Sequence, residues 1–368
     1  MLSKTHSIDT FFFSISILLL VFGLFILTSA SLGLSVERFG HPYYYIFHQI
    51  IFGLLPGGLL LYACSKIPYF TWRRLALPLI LGAIFLMFLV FVPGFGFYNA
   101  GARRWLSFGP ISFQPAEFLK FAYVVYLASW LESRSKSIGS FKFGLLPFAI
   151  MSGFIASFLV LQPDIGTLAV LMATALAMFF VSGGSVKQIF ILFLISLIIL
   201  AALIVLEPYR MDRLKVFLNP AGDPQGAGYQ INQALIAVGS GGFFGRGFGL
   251  SRQKFSYLPE PIGDSIFAIF AEELGFLGSF FLIVFLFLFF LRGIWIALKS
   301  PDSFGKFLGS GILFLIIFQA LINIGAIIGM LPLTGIPLSF VSYGGSALAL
   351  TLAEIGILLN ISKYRVKT

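Results

Sequence analysis

Ten apolar runs of bilayer length fill this chain, and one sizeable polar segment, roughly residues 208–267, interrupts them. That pattern leaves little choice of fold. A helix needs roughly 20 apolar residues to cross a bilayer, and backbone in lipid must satisfy its own N–H and C=O groups, so helices are expected. The period-two alternation of a membrane barrel is absent. Spans are expected near 11–32, 43–64, 75–93, 114–131, 145–161, 165–182, 188–207, 267–291, 307–329 and 338–361. The fifth and sixth are divided only by Gln162-Pro163-Asp164, which must form a tight turn or a break. The expected fold is therefore an all-α polytopic membrane protein of about ten transmembrane helices. It forms one domain over residues 1–368, with 208–267 as a large extracytoplasmic loop between helices 7 and 8.

Composition excludes a water-soluble enzyme. The chain is 59% hydrophobic and 10% charged, where soluble domains carry about 25% charged residues. Any chemistry belongs at a membrane face or in a cavity between helices. Thr28-Ser29-Ala30 resembles a signal cleavage site, but the apolar run is long for a signal h-region, and it is read as a retained first span. Positive charge sets the orientation. With the N-terminus inside, 14 of the 24 Lys and Arg residues fall in cytoplasmic segments, Arg73, Arg74, Arg134, Arg292 and Arg365 among them. Both termini are then cytoplasmic. The net charge of +10 follows from this bias and suits anionic lipid heads. No basic cluster with interleaved aromatics suggests nucleic acid. His6, His41 and His48 make no zinc set, and the glycines of 239–249 lack the Lys-Ser/Thr pair of a phosphate-binding loop.

Ionisable residues inside spans are costly and usually functional. Glu117 and Lys120 share a helix face at i,i+3 spacing. They either form an internal ion pair that fixes packing or line an outward-opening cavity that binds an anionic group. Asp164 can cap the sixth helix and also serve a site. Asp264 ends the polar segment at the membrane surface, and Asp264, Ala268 and Glu272 share a face if the helix starts that early. Glu272 and Glu273 can instead offset the helix dipole. Glu354 stands alone in the last span and needs a buried partner. Arg103 and Arg104 beside Trp105 read as headgroup anchors or as a phosphate clamp. The Gly/Pro-rich but apolar stretches 329–337 and 342–346 are tolerated at membrane depth only if buried in protein or lining a cavity.

Seven motifs in order carry a resemblance over nearly the whole chain. They are Asn99-Ala-Gly-Ala-Arg103-Arg104-Trp105, Gln114-Pro-x-Glu117-x-x-Lys120, Gln162-Pro-Asp164-x-Gly-Thr167, Gly239-Ser-Gly-Gly242, Tyr257-Leu-Pro-Glu260, the Asp264 block through Glu272-Glu-Leu-Gly275, and Gly329-x-Leu-Pro-x-Thr-Gly335 with Ser342-Tyr-Gly-Gly-Ser346. The chain resembles the SEDS proteins (shape, elongation, division and sporulation). Ser251-Arg-Gln-Lys254 makes it look more like the division branch, FtsW, than the elongation branch, RodA. The resemblance implies a peptidoglycan glycosyltransferase of the bacterial cytoplasmic membrane, its active site facing outward. Such proteins polymerise lipid II into glycan strands during septal cell-wall synthesis, alongside a class B penicillin-binding protein transpeptidase and other division-machinery membrane proteins. It places the essential acid on Asp264 and important charges on Glu117, Lys120 and Asp164, with Arg103 or Arg104 as donors. It also draws Lys254, Glu260, Ser342 and Gly344 into the substrate-binding set. Where members often read Thr-Asp-Phe-Ile-Phe, this chain has Gly263-Asp264-Ser265-Ile266-Phe267, so the acid is kept among smaller neighbours.

The expected reaction is inverting glycosyl transfer that forms a β-1,4 bond, with Asp264 as the base. Cations would stabilise the departing pyrophosphate: Arg103, Arg104, Lys120 or a bound divalent ion, Mg²⁺ or Mn²⁺. The competing expectations are a lipid II flippase, a RodA-like polymerase of elongation, and a scaffold that only recruits the transpeptidase.

Overall fold

The computed structural model describes residues 7–99, 102–108, 111–205, 207–226, 228–255 and 257–366. Ala100 and Gly101 of the first motif, and the basic Lys4 and Lys367, lie outside the described residues. The chain opens with α1 (Thr10–Phe39), whose N-terminus is capped by Asp9 accepting the Phe12 N–H at 2.9 Å. It ends where Gly40 takes the left-handed conformation (φ 67°), which glycine alone adopts without strain. The next span is one rod made of α2 (Tyr44–Gln49), a π-helical turn (Ile50–Leu54) and α3 (Leu55–Lys66), followed by α4 (Thr71–Leu89). A small antiparallel sheet of β1 (Gly96–Asn99), β2 (Ala102–Phe108) and β3 (Ile111–Phe113) then folds over one end of the bundle, pairing Phe97 with Trp105 and Leu106 with Phe113.

From that end α5 (Pro115–Ser133) re-enters, with Pro115 in its first turn, where a missing N–H is harmless. A π-helical turn (Phe141–Leu145) leads into α6 (Leu146–Leu161), which is followed by α7 (Ile165–Val181) and α8 (Val186–Val205). The polar segment is not an irregular loop. It carries α9 (Pro208–Leu218), a short 3₁₀ turn and α10 (Tyr229–Ser240) before α11 (Ile266–Leu298), α12 (Ser303–Ile327) and α13 (Gly345–Lys363).

Eight of the described helical rods are long and apolar enough to cross a membrane. The other two expected spans are α5, which carries Glu117, Lys120 and Glu132, and α7, which is short. The ten expected spans therefore correspond to ten helical rods, with one correction. The last begins at Gly345 rather than near 338, because Leu338–Gly344 is non-helical. α12 is the axis of the bundle and is buried over most of its length against α5, α7, α11 and α13. Its glycines permit that approach: a Cβ at Gly309 would meet the Ala297 Cβ at 2.8 Å. By contrast α8 buries only Gln188 and Leu192, so its remaining apolar surface requires lipid or another chain.

α11 is interrupted at Gly275 (φ 66°). The freed carbonyls of Glu272 and Glu273 accept N–H bonds from Arg246 and Gly247, both at 3.0 Å, and Phe276 and Leu277 donate to Gly242 and Phe243. Residues 242–247 thus run beside the break and satisfy its backbone, as burial in an apolar setting requires.

Candidate active site

Asp264 lies in the turn just before α11, at the end of the bundle covered by the sheet and by α9 and α10. Its carboxylate is partly buried and held loosely. The Gln230 side-chain amide on α10 donates to both oxygens at 3.3 Å, and the Ser265 hydroxyl lies 3.4 Å from one. Gly335 closes one side, since a Cβ there would stand 3.9 Å from Oδ2. Burial, then the nearby Glu260 charge, pushes the carboxyl up to about 6, against the opposing pull of Gln230 and Arg213.

The turn itself is held firmly by backbone bonds. Asn323 donates to the Asp264 carbonyl at 2.8 Å, Ser342 donates to the Gly263 carbonyl at 2.7 Å, and the Tyr343 N–H reaches the Ile262 carbonyl at 2.8 Å. Glu260 and Gly263 are joined by a 3.0 Å backbone bond, with Glu260 in the left-handed region (φ 48°). The result is a fixed backbone presenting a partly shielded carboxylate with long contacts to its neighbours, an arrangement compatible with a general base.

Asp264 and Glu272 do not share a site. The helix starts too late for the i,i+4,i+8 register, and the two carboxylates face different elements. Glu272 accepts from the Ser251 hydroxyl (2.5 Å) and the N–H groups of Arg252 and Gln253, and Arg246 lies 3.6 Å away. Glu273 accepts from Ser29 and from Lys254 at 2.8 Å. Lys254, expected among the substrate contacts, is instead fully buried, with its three hydrogens directed to Glu273, Ser29 and the Gly249 carbonyl. Ser342 and Gly344 are likewise engaged internally. The Ser342 hydroxyl also accepts the Leu338 N–H, and the Gly344 N–H donates to Gln49 at 3.0 Å.

Glu117 and Lys120 form a buried 2.8 Å ion pair. Of the two alternatives, the internal ion pair is realised, and both residues also line a small space. The space they line with Gln319, Ser339, Thr351 and Glu354 is about 10 Å³, room for about one water and too small for a phosphate. Glu354 finds its neighbours there. Asp164 caps α7 by accepting the Thr167 N–H at 3.1 Å. The next turn of that helix packs on the same segment as Asp264, because a Cβ at Gly166 would lie 2.7 Å from the Thr334 carbonyl. Arg104 donates to the carbonyls of Gln162 (3.1 Å) and Pro163 (2.6 Å), while Arg103, next to it on β2, is exposed. Glu260 is exposed beside Asp264.

Four polar residues around the turn escaped sequence reasoning: Arg213, Gln230, Gln319 and Asn323. Arg213 donates to the Leu333 carbonyl at 2.7 Å and attracts Asp264. Gln319 and Asn323 carried a readable signal, being two amides at i,i+4 spacing inside an otherwise apolar span. Arg213 and Gln230 carried none, since they sit in a segment where polar residues are ordinary.

A bundle of apolar helices, with a partly shielded carboxylate under a folded polar segment at one end, defines an integral membrane protein. The family model described as "Cell cycle protein", covering FtsW, RodA and SpoVE, matches residues 9–367. The chain belongs to this family, the SEDS proteins. It is 41% identical to Stage V sporulation protein E of Bacillus subtilis over 366 residues, 99% of each chain. It is 36% identical over 359 residues to a probable peptidoglycan glycosyltransferase FtsW of a Geobacter species, 98% of each. A solved peptidoglycan synthase complex that coordinates polymerization and crosslinking contains a chain similar to it, with TM-score 0.79 and 28% identity, covering 96% of this chain and 97% of that one.

Proposed function

We propose that this chain is a peptidoglycan glycosyltransferase that polymerises lipid II into glycan strands for septal wall synthesis. In this reading both termini are cytoplasmic, the Asp264 end faces outward, and a class B penicillin-binding protein crosslinks the product alongside other division-machinery membrane proteins. The observation that carries it is the Asp264 carboxylate, raised to about 6 and half-sheltered beside Gln230 and Gly335. A base of that strength is ionised at neutral pH and still accepts a proton in the transition state.

In the proposed step the acceptor sugar hydroxyl gives its proton to Asp264 as its oxygen attacks the donor's anomeric carbon. The bond from that carbon to the lipid pyrophosphate breaks, and the pyrophosphate leaves with the electron pair. It departs already anionic, so no acid has to protonate it. Arg103, exposed on β2, and Arg213, which faces Asp264, are the proposed cations for the departing charge. Among the described residues no group of three or more His, Cys, Asp or Glu side chains could hold a metal ion. Glu260 and Asp264 are two carboxylates on one turn, a donor set that suits Mg²⁺ or Mn²⁺ when phosphate oxygens supply the remainder; such an ion would offset pyrophosphate charge. Asp164, Glu117 and Lys120 support the site from behind the 334–337 segment.

The test is polymerisation of labelled lipid II by the purified protein, with and without its cognate transpeptidase. Polymer of many disaccharides from the wild type, and none from Asp264→Asn, is the expected result. A folded wild type that transports lipid II across vesicles but makes no polymer would establish the flippase reading instead.

A further inference from the structure

The buried polar groups of the bundle are not scattered. Lys120 is paired with Glu117 at 2.8 Å, and its ammonium also donates to the Gln319 side-chain oxygen. The Gln319 amide donates to the Pro337 carbonyl at 3.0 Å. One helical turn along α12, Asn323 donates to the Ile336 carbonyl and to the Asp264 carbonyl, both at 2.8 Å. Gly335, next in line, abuts the Asp264 carboxylate. Glu117, Lys120, Gln319 and Asn323 are all at most 6% exposed.

We infer that Gln319 and Asn323 are positioning residues for Asp264, and that the Glu117–Lys120 pair acts on the reaction only through them. The inference rests on the glycosyltransferase reading. Two physical points support it. Non-helical backbone in an apolar interior takes whatever path its carbonyl partners dictate, and two of the carbonyls in the 335–337 stretch are fixed by amides of a single rigid helix. In addition, the Lys120 ammonium already has two acceptors, and the space beside it holds about one water (10 Å³). As it stands, that space does not hold a pyrophosphate.

The experiment uses the full chain with its transpeptidase and three variants, Asn323→Leu, Gln319→Met and Lys120→Met, together with the Lys120→Met/Asn323→Leu double variant. Polymerisation kinetics are measured alongside binding of an unreactive lipid-linked disaccharide pyrophosphate and thermal unfolding in detergent. A misplacement of about 1 Å costs about a hundredfold in rate, so each single variant is expected to lower kcat by roughly ten- to a hundredfold while KM and analogue affinity stay within about threefold. The double variant should be no slower than its slower parent, because both changes cut one chain of bonds. If Lys120 touches substrate, Lys120→Met weakens analogue binding and the two losses multiply; either result overturns the inference. Should Asn323→Leu fail to fold, Gln319→Met carries the test, and a folded Gln319→Met with wild-type kcat also overturns it. A wild type without polymer, or an active Asp264→Asn, would remove the glycosyltransferase reading itself and is seen in the same assay.

Discussion

Asp264 and the Glu272–Glu273 pair lie eight and nine residues apart at the head of the same helix, yet their surroundings are opposite. Glu272 and Glu273 are buried and saturated with donors from Ser29, Ser251, Arg252, Gln253 and Lys254. Among the described residues, the side chains that reach the Asp264 oxygens are one amide at 3.3 Å and a hydroxyl at 3.4 Å, with a like charge and the Arg213 charge nearby. A carboxylate whose lone pairs are all taken cannot accept a substrate proton, whereas one held by its backbone and left under-satisfied at its oxygens can. Both belong to one sequence motif. The difference shows that an ionisable residue in this chain is assigned by what its oxygens touch, not by how close it stands to the membrane.

The largest effect should fall on the under-satisfied side. Asp264→Ala is expected to remove polymerisation by at least the 10²–10⁴-fold that a positioned base contributes, with the unfolding midpoint close to wild type. If activity survives, or if the midpoint falls as far as for the saturated pair, the contrast collapses. On the other side, Lys254→Met leaves the buried Glu273 without its cation. It should destabilise the protein by about 3–5 kcal/mol, read as lost yield of folded protein in detergent. Lys254→Met/Glu273→Gln should recover part of that loss, because it removes the stranded charge.

A finer test uses pH. The base must be ionised, so turnover should be flat above about 6 and fall tenfold per unit below it. Glu260→Gln removes the like charge that raises Asp264 and should move the acid limb to lower pH. Gln230→Ala removes a bond that favours the ionised form and should move it to higher pH. Each shift is expected to be less than about one unit. Limbs that do not move, or that move in the same direction, would show that the measured proton is not on Asp264.

The sequence made much of this legible. Apolar runs of bilayer length marked the spans because lipid admits little besides helices, and the i,i+3 spacing of Glu117 and Lys120 is realised as an ion pair. The Gly/Pro-rich stretch at 329–337 was readable as irregular backbone, and it packs against Asp264 through Gly335, although Gly329, Met330, Leu331 and Gly335 are exposed and Ile336 alone is fully buried. What stayed hidden depended on contacts between distant segments. Lys254 looked available because no sequence rule shows Ser29, 225 residues away, accepting from it. Gln230 and Arg213 meet Asp264 only after α9 and α10 fold back over the bundle. The break at Gly275 was hidden too, since the segment that stabilises it lies in a loop about thirty residues upstream.

The smallest expected effects separate two adjacent arginines and carry the same contrast to β2. Successive side chains on a strand point to opposite faces. Arg104 turns inward to the Gln162 and Pro163 carbonyls, so its partners are already inside the protein. Arg104→Ala should lower stability by about 1 kcal/mol with little direct effect on substrate affinity. Arg103 is exposed at the Asp264 end, where a charge contact to an anionic headgroup is worth at most about 1 kcal/mol. Arg103→Ala should leave the unfolding midpoint unchanged and raise KM by up to about fivefold, more at low salt than at high salt. A drop in stability for Arg103→Ala, or a salt-dependent rise in KM for Arg104→Ala, would reverse the two assignments.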